Sequence, residues 1–222
     1  MLTHAPWRAR PGLTHGFLGA AECVVGRSWS VVLAGVGVTT PVFTPRQVHG
    51  TTVVAAVDSH HVPAADASFT SERGRLVGVV TADCVPVLLL DARREVVAAV
   101  HAGWRGAAAG VLEASLERLR SAGADDIEAA VGPAAGECCY QVGDEVRAAF
   151  RERSGDVTAA AWAADGARWR LDLRGAVRSL LETAGVAQVT VLGPCTVCGP
   201  GHHSYRRDGA RAGRQLSFIG WR

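Results

Sequence analysis

TADCVPVLLLDARREVVAAVHAGWRG, residues 81–106, is the stretch from which the fold is read. Two apolar runs, 85–90 and 96–100, flank a polar turn that begins at Asp91, and a third run, 76–80, precedes them. Val- and Leu-rich runs of this length, bounded by turn residues, fit strands covered on both faces. Reactive side chains stand at their ends: Cys84 before the run 85–90 and His101 after the run 96–100. Pro86 after the cysteine, and Gly103 and Gly106 after the histidine, are expected to redirect the chain there. Ends of strands facing turns are where sheets hold chemically active groups. His49, in PRQVHG between Pro45 and Gly50, occupies a similar turn upstream.

Working outward, LTHGFL (13–18) and 30–33 read as strands, and β-branched 51–57 as another. A polar loop carrying His60, His61 and Asp66 follows; the two histidines read as solvent-facing. Beyond Gly106 the period changes. Val111, Leu112, Leu116 and Leu119 fall at helical spacing, and the helix ends at 121–123. A strand at 127–131 and a helix near 142–153 come next, the latter opened by acidic Asp144 and Glu145 at its positive end. Residues 158–170 read as a loop with a short strand. Residues 172–185 read as a helix capped by Asp172, and 186–192 and 216–221 as strands. Alternating strands and helices predict a mixed α/β (α+β) domain spanning 1–222, with helices outside the sheets.

Nearly half the residues are hydrophobic (48%) and 20% are charged, enough for a substantial core. The formal charge of +2 argues against a polyanion-binding protein, so no nucleic-acid partner is expected. All 23 basic residues are Arg, a compositional habit of the whole chain and not of one patch. No apolar run approaches a membrane span and the first residues lack an export pattern, so a cytoplasmic protein with reduced thiols is expected. Its six cysteines are then buried, catalytic or metal-binding.

His49, Cys84 and His101 form a two-imidazole, one-thiolate set that suits zinc and leaves a fourth position for water or substrate. Two other uses remain open: Cys84 as a nucleophile with a histidine base, or a buried cysteine beside packing histidines. Arg105, in Trp104-Arg105-Gly106, precedes a helix start and could hold phosphate. Tyr205, Arg206 and Arg207 join an aromatic ring to two guanidinium groups, a pattern for stacking on a base and holding an anion. Cys195 and Cys198 form a CxxC with no second CxxC, and Cys138–Cys139 is badly spaced to complete a zinc ribbon. Gly199, Pro200 and Gly201 follow where a redox CxxC opens a helix, so these thiols read as structural.

QVHG, ADA, TADCVPVLL, HAGWRG, GPAAGECCYQVGDEV and SYRRDGARAGRQLSFI, in this order over about 46–222, resemble the laccase-domain family of the YfiH type. That family is also called polyphenol oxidase or peptidoglycan editing factor, and its members act as purine nucleoside phosphorylases. The resemblance implies a four-layer α/β/β/α sandwich with mixed sheets and a zinc ion on His49, Cys84 and His101. It also implies phosphorolysis of adenosine, inosine, guanosine and methylthioadenosine, with adenosine deamination. Purine nucleoside and phosphate would be the partners, with Cys84, Asp83 and Arg46 near the chemistry and Arg105, Tyr205 and Arg206 holding substrate. Copper-dependent phenol oxidation, a cysteine amidohydrolase acting on peptidoglycan precursors, and a non-catalytic metal-binding member are the alternatives. The sequence departs from the family in a shortened segment after Gly16-Phe17, in Gln141 where the family often has Glu, and in His202–His203 replacing an aromatic pair.

Overall fold

Within the apolar runs, residue parity decides which core each side chain enters. Val87 and Leu89 face one buried cluster and Leu88 and Leu90 another, and on the neighbouring strand Val96, Ala98 and Val100 alternate with Val97 and Ala99 in the same way. A strand covered on both faces needs this, because successive side chains point to opposite sides. The computed structural model describes residues 1–57 and 62–222, so the two loop histidines His60 and His61 lie outside the described residues.

In chain order the first elements are α1 (Ala5–Arg8), β1 (Leu13–Phe17), α2 (Trp29–Gly35), β2 (Val42–Phe43), β3 (Val53–Ala55) and β4 (Ala67–Thr70). The centre is β5 (Arg75–Thr81), β6 (Val85–Asp91), β7 (Val96–Ala102), α3 (Trp104–Ala109) and α4 (Val111–Ser121). Then come β8 (Glu128–Val131), β9 (Gln141–Val142), α5 (Asp144–Ser154), β10 (Trp162–Asp165) and β11 (Arg168–Leu171). The chain closes with α6 (Leu173–Thr183), β12 (Gln188–Val191), α7 (Tyr205–Asp208) and β13 (Gln215–Trp221).

Two mixed sheets carry the architecture, ordered β1-β13-β5-β2 and β12-β8-β6-β7-β4-β3; a small β10-β11-β9 sheet stands apart. Val77, Val79, Ile219 and Trp221 of the first sheet pack on Leu88, Leu90, Val97 and Ala99 of the second. The other face of the larger sheet is covered by Leu112, Leu116, Phe150, Val177 and Leu181 from α4, α5 and α6. The other face of the smaller sheet takes Val32 and Leu33 of α2 against Leu76, Leu216 and Phe218. The order of layers is therefore helix, sheet, sheet, helix, an α+β sandwich.

Several expectations need correction. Residues 30–33 are helical, within α2: Trp29, Val32, Leu33 and Val36 share one packed face at helical spacing, while Val31 is exposed. The single helix expected after Gly106 is two, broken at Gly110 with φ 102°. Residues 158–170 contain two strands of an antiparallel hairpin, β10 and β11. Pro86 does not turn the chain; it lies in β6, and the ladder to β8 begins only at Val87. The turn is made earlier, by Asp83 at φ 85°. Asp91 closes β6, its carboxylate accepting the N–H groups of Arg93, Arg94, Asp125 and Asp126. Asp172 caps α6 as expected, accepting from the Gly175 N–H at 3.0 Å. Among the described residues no helix is long and apolar enough to cross a membrane, and all six cysteines are free.

Candidate metal centre and its cleft

β5 belongs to the smaller sheet and β6 to the larger, so residues 82–84 cross from one sheet to the other. Cys84 sits on this crossing, His101 is the penultimate residue of β7, and in the β6–β7 register Pro86 lies opposite His101. His49 reaches the same point from the loop before β3, held at φ 61°. That left-handed conformation is uncommon for a side-chain-bearing residue and persists only where its surroundings enforce it.

The enforcing group is Asp66, fully buried next to β4. Its carboxylate accepts the backbone N–H groups of Val48 (3.2 Å), His49 (2.8 Å) and Gly50 (2.7 Å). The same carboxylate lies 2.8 Å from Nδ1 of His101, and the His101 N–H donates to the Asp66 carbonyl at 2.7 Å. One side chain thus fixes the backbone under one imidazole and the ring orientation of the other. With Nδ1 occupied, His101 offers Nε2. The imidazoles meet edge to face with centroids 4.8 Å apart, and Nε2 of His49 lies 3.9 Å from Sγ of Cys84.

One ligand atom from each of His49, Cys84 and His101 lies within 4.8 Å of the others. Space for a shared ion depends on Gly103: a Cβ there would stand 3.0 Å from Cδ2 of His49, 3.1 Å from Sγ of Cys84 and 3.7 Å from Cε1 of His101. Electrostatics agree with the geometry. Burial alone would push the Cys84 thiol up, but the two imidazoles outweigh it and bring the thiol down to about 6. Burial would likewise lower His101, yet Asp66 and Cys84 raise it to about 9. A thiolate between two imidazoles, oriented by a carboxylate behind one of them, is the donor set and supporting shell of a borderline-soft divalent cation. The residues therefore fit zinc.

The cluster forms the floor of a cleft of about 560 Å³, a size typical of small-molecule sites. Trp29, Pro45, Gln47, Thr81, Tyr205 and Arg214 contribute to its walls. Gln47 clamps its loop to β5 through two 2.7 Å bonds with the N–H and carbonyl of Val80. Of the residues expected at the site, His49, Cys84, His101 and Tyr205 line this cleft, and Asp83, Arg46, Arg105 and Arg206 do not. Asp83 is taken up structurally: its carboxylate accepts from Thr196 Oγ1 (2.7 Å), Ser204 Oγ (3.0 Å) and the Arg206 N–H (2.6 Å). Arg206 lies over Tyr140 and Arg105 over Trp104, while Arg46 is exposed and bridges to Ala64. Sequence reasoning assigned no role to Asp66, Gln47, Trp29 or Arg214. Gln47, Asp66 and Arg214 sit inside the motifs QVHG, ADA and SYRRDGARAGRQLSFI, and an acid between small apolar residues was the available signal of burial.

The family model described as multi-copper polyphenol oxidoreductase laccase matches residues 19–222. The chain belongs to this family. A protein of Aquifex aeolicus named purine nucleoside phosphorylase is 39% identical over 179 residues, 80% of this chain and 82% of its own. A protein of an unknown prokaryotic organism named adenosine deaminase RL5 is 36% identical over 195 residues, covering 79% and 73% of the two chains. The crystal structure of YlmD from Geobacillus stearothermophilus matches with a TM-score of 0.83 at 28% identity, over 96% of this chain and 93% of that one. The shared sandwich is thus a family property, and the cysteine–histidine floor lies within the span that the family model matches.

Proposed function

We propose that this laccase-family chain is a zinc-dependent purine nucleoside phosphorylase with adenosine deaminase activity. The observation that carries the reading is the gathering of His49, Cys84 and His101 at the floor of a nucleoside-sized cleft walled by Trp29, Tyr205 and Arg214. Relatives named for both activities support it. Zinc on two imidazoles and a thiolate would keep one position open and lower the pKa of a water bound there towards neutral.

The chain's own residues do the rest. Trp29 and Tyr205 offer aromatic faces to a purine. Arg214, which lies 5.8 Å from the Tyr205 ring, is the guanidinium of the cleft wall and takes the phosphate, the role expected from sequence of Arg105 and Arg206. In phosphorolysis a phosphate oxygen bonds to C1′ of the ribose. The glycosidic bond breaks with its electron pair going to the purine, which gains the proton that hydrogen phosphate gives up. Asp83 serves as a positioning residue, fastening the Ser204–Arg206 segment beside the turn that presents Cys84.

Copper also accepts this donor set, but oxygen reduction by a multi-copper phenol oxidase needs a cluster of copper ions, and one set of two histidines and a cysteine holds a single ion. Incubating the purified protein with inosine, with and without phosphate, tests the reading. Hypoxanthine and ribose 1-phosphate should form only with phosphate; no phosphate-dependent base release across adenosine, inosine and guanosine would end it.

A further inference from the structure

The fold brings together four cysteines that sequence spacing left apart. The strand-like bridge between Ala134 and Cys195, tightened by the Thr196 N–H to the Ala134 carbonyl at 2.9 Å, lays the loop before β9 beside the loop after β12. As a result the sulfurs of Cys138, Cys139, Cys195 and Cys198 all lie within 4.8 Å of one another. We propose that these four residues form a second metal site, a tetrathiolate cage for a thiophilic divalent cation of the zinc class, independent of His49, Cys84 and His101.

Geometry argues for an ion in preference to a disulfide. Zinc–sulfur bonds of about 2.3 Å in a tetrahedron put neighbouring sulfurs about 3.8 Å apart. Sγ of Cys138 and Sγ of Cys198 stand 3.5 Å apart, close to that edge and well beyond a sulfur–sulfur bond of about 2.0 Å. A disulfide would use two thiols and leave two without a purpose, whereas four sulfurs from two loops complete a closed structural site. The CxxC also lacks the helix that a redox motif opens: residues 195–204 form turns and bends before α7.

The loop before β9 turns a backbone donor towards one of the four sulfurs. The Gly136 N–H donates to Sγ of Cys195 at 3.2 Å. A Cβ at Gly136 would lie 3.1 Å from Cβ of Cys195 and 3.4 Å from Sγ of Cys138, so the glycine lets the loops approach. Four thiolates around a divalent ion leave a net negative centre, and two guanidinium groups stand beside it. Arg170 donates to the Cys138 carbonyl at 2.5 Å, and Arg207 to the carbonyls of Thr196 and Val197 at 3.1 Å each. The cage also bears on the cleft. Thr196, inside the CxxC, donates to Asp83, the neighbour of Cys84, so an ion here braces the turn that presents the active-site thiol.

Zinc content per chain is measured on protein prepared without chelators, for wild type, Cys138→Ser/Cys198→Ser and Cys84→Ser. The proposal expects the double variant to lose one zinc equivalent relative to wild type while Cys84→Ser keeps the ion of the cage. An unchanged zinc content in the double variant would overturn it. Because the difference between proteins is what is read, the failure of the cleft to bind zinc or turn over nucleoside leaves this test intact. Alkylation of the wild type with N-ethylmaleimide, mapped by mass spectrometry, covers the case in which the variant misfolds. All four cysteines should be protected together and become reactive together on adding chelator. Reactivity indifferent to chelator, or a Cys138–Cys198 disulfide in the native protein, would refute the cage.

Discussion

At Gly103 the absence of a side chain leaves room between the donors, because a Cβ there would stand 3.0 Å from Cδ2 of His49 and 3.1 Å from Sγ of Cys84, tighter than ordinary van der Waals contact. Gly103→Ala adds one methyl group with no backbone strain, since φ is −68°. It should weaken zinc binding by roughly tenfold or more while leaving the circular dichroism spectrum unchanged. Normal metal affinity in this variant would show that the three ligands do not share an ion. Asp66 presents the complementary case. Asp66→Asn places an N–H₂ group either towards the donors of Val48 and Gly50 or towards those of His49 and His101, so at least one buried donor loses its acceptor. A loss of about 2–3 kcal/mol in urea unfolding is expected, with zinc affinity down about 10- to 100-fold. Wild-type stability and affinity together would mean that the carboxylate does not hold the two histidine segments.

At the scale of elements, Gly110 separates α3 from α4 at φ 102°, a conformation that penalises any residue with a Cβ. Gly110→Ala should cost about 1–3 kcal/mol in chemical denaturation without changing metal content, and a neutral result would mean the two helices can merge. This break was hidden in the sequence, where a glycine within AAAG reads as a tolerated helix residue. Strands β6 and β7 were legible because unbroken apolar runs have few alternatives in a domain of this size. Helix α2 was not: Val31 and Val32 argue for strand locally, and only the packing of Trp29, Val32, Leu33 and Val36 on the smaller sheet shows the helical period deciding. In the cleft, His49, Cys84 and His101 were readable as donor residue types at turns, and the fold brings them together. Asp66 was not, since its role lies in accepting three consecutive backbone donors, which no side-chain pattern records. The gathering of Cys138, Cys139, Cys195 and Cys198 was invisible for a similar reason, as it depends on a loop-to-loop bridge that sequence spacing does not encode.

The whole molecule is held together partly by its first residues, which tie the smaller sheet to the larger. Leu2 bridges to Phe17 of β1, Trp7 donates its indole N–H to Glu128 of β8 at 2.7 Å, and His4 Nε2 meets Thr190 Oγ1 of β12 at 3.2 Å. His15 of β1 anchors this segment: its Nε2 accepts the His4 N–H at 3.0 Å, and its ring packs edge-on to Trp7. Burial drives the His15 imidazole down from 6.5 to about 4, and the bonded Nε2 reinforces this, because a protonated nitrogen has no lone pair to accept the His4 N–H. Between those two values the unfolded chain binds a proton that the folded chain refuses. The contribution is therefore complete above about pH 6.5 and is lost as pH falls towards 4, amounting to about 3 kcal/mol at its full extent. His15→Gln keeps an acceptor in place of Nε2 but does not titrate. Urea unfolding of both proteins at pH 7.5 and 4.5 should show the acid-induced loss in the variant smaller by about 2–3 kcal/mol. Parallel losses in the two proteins would place the acid sensitivity elsewhere and remove His15 from the join between the sheets.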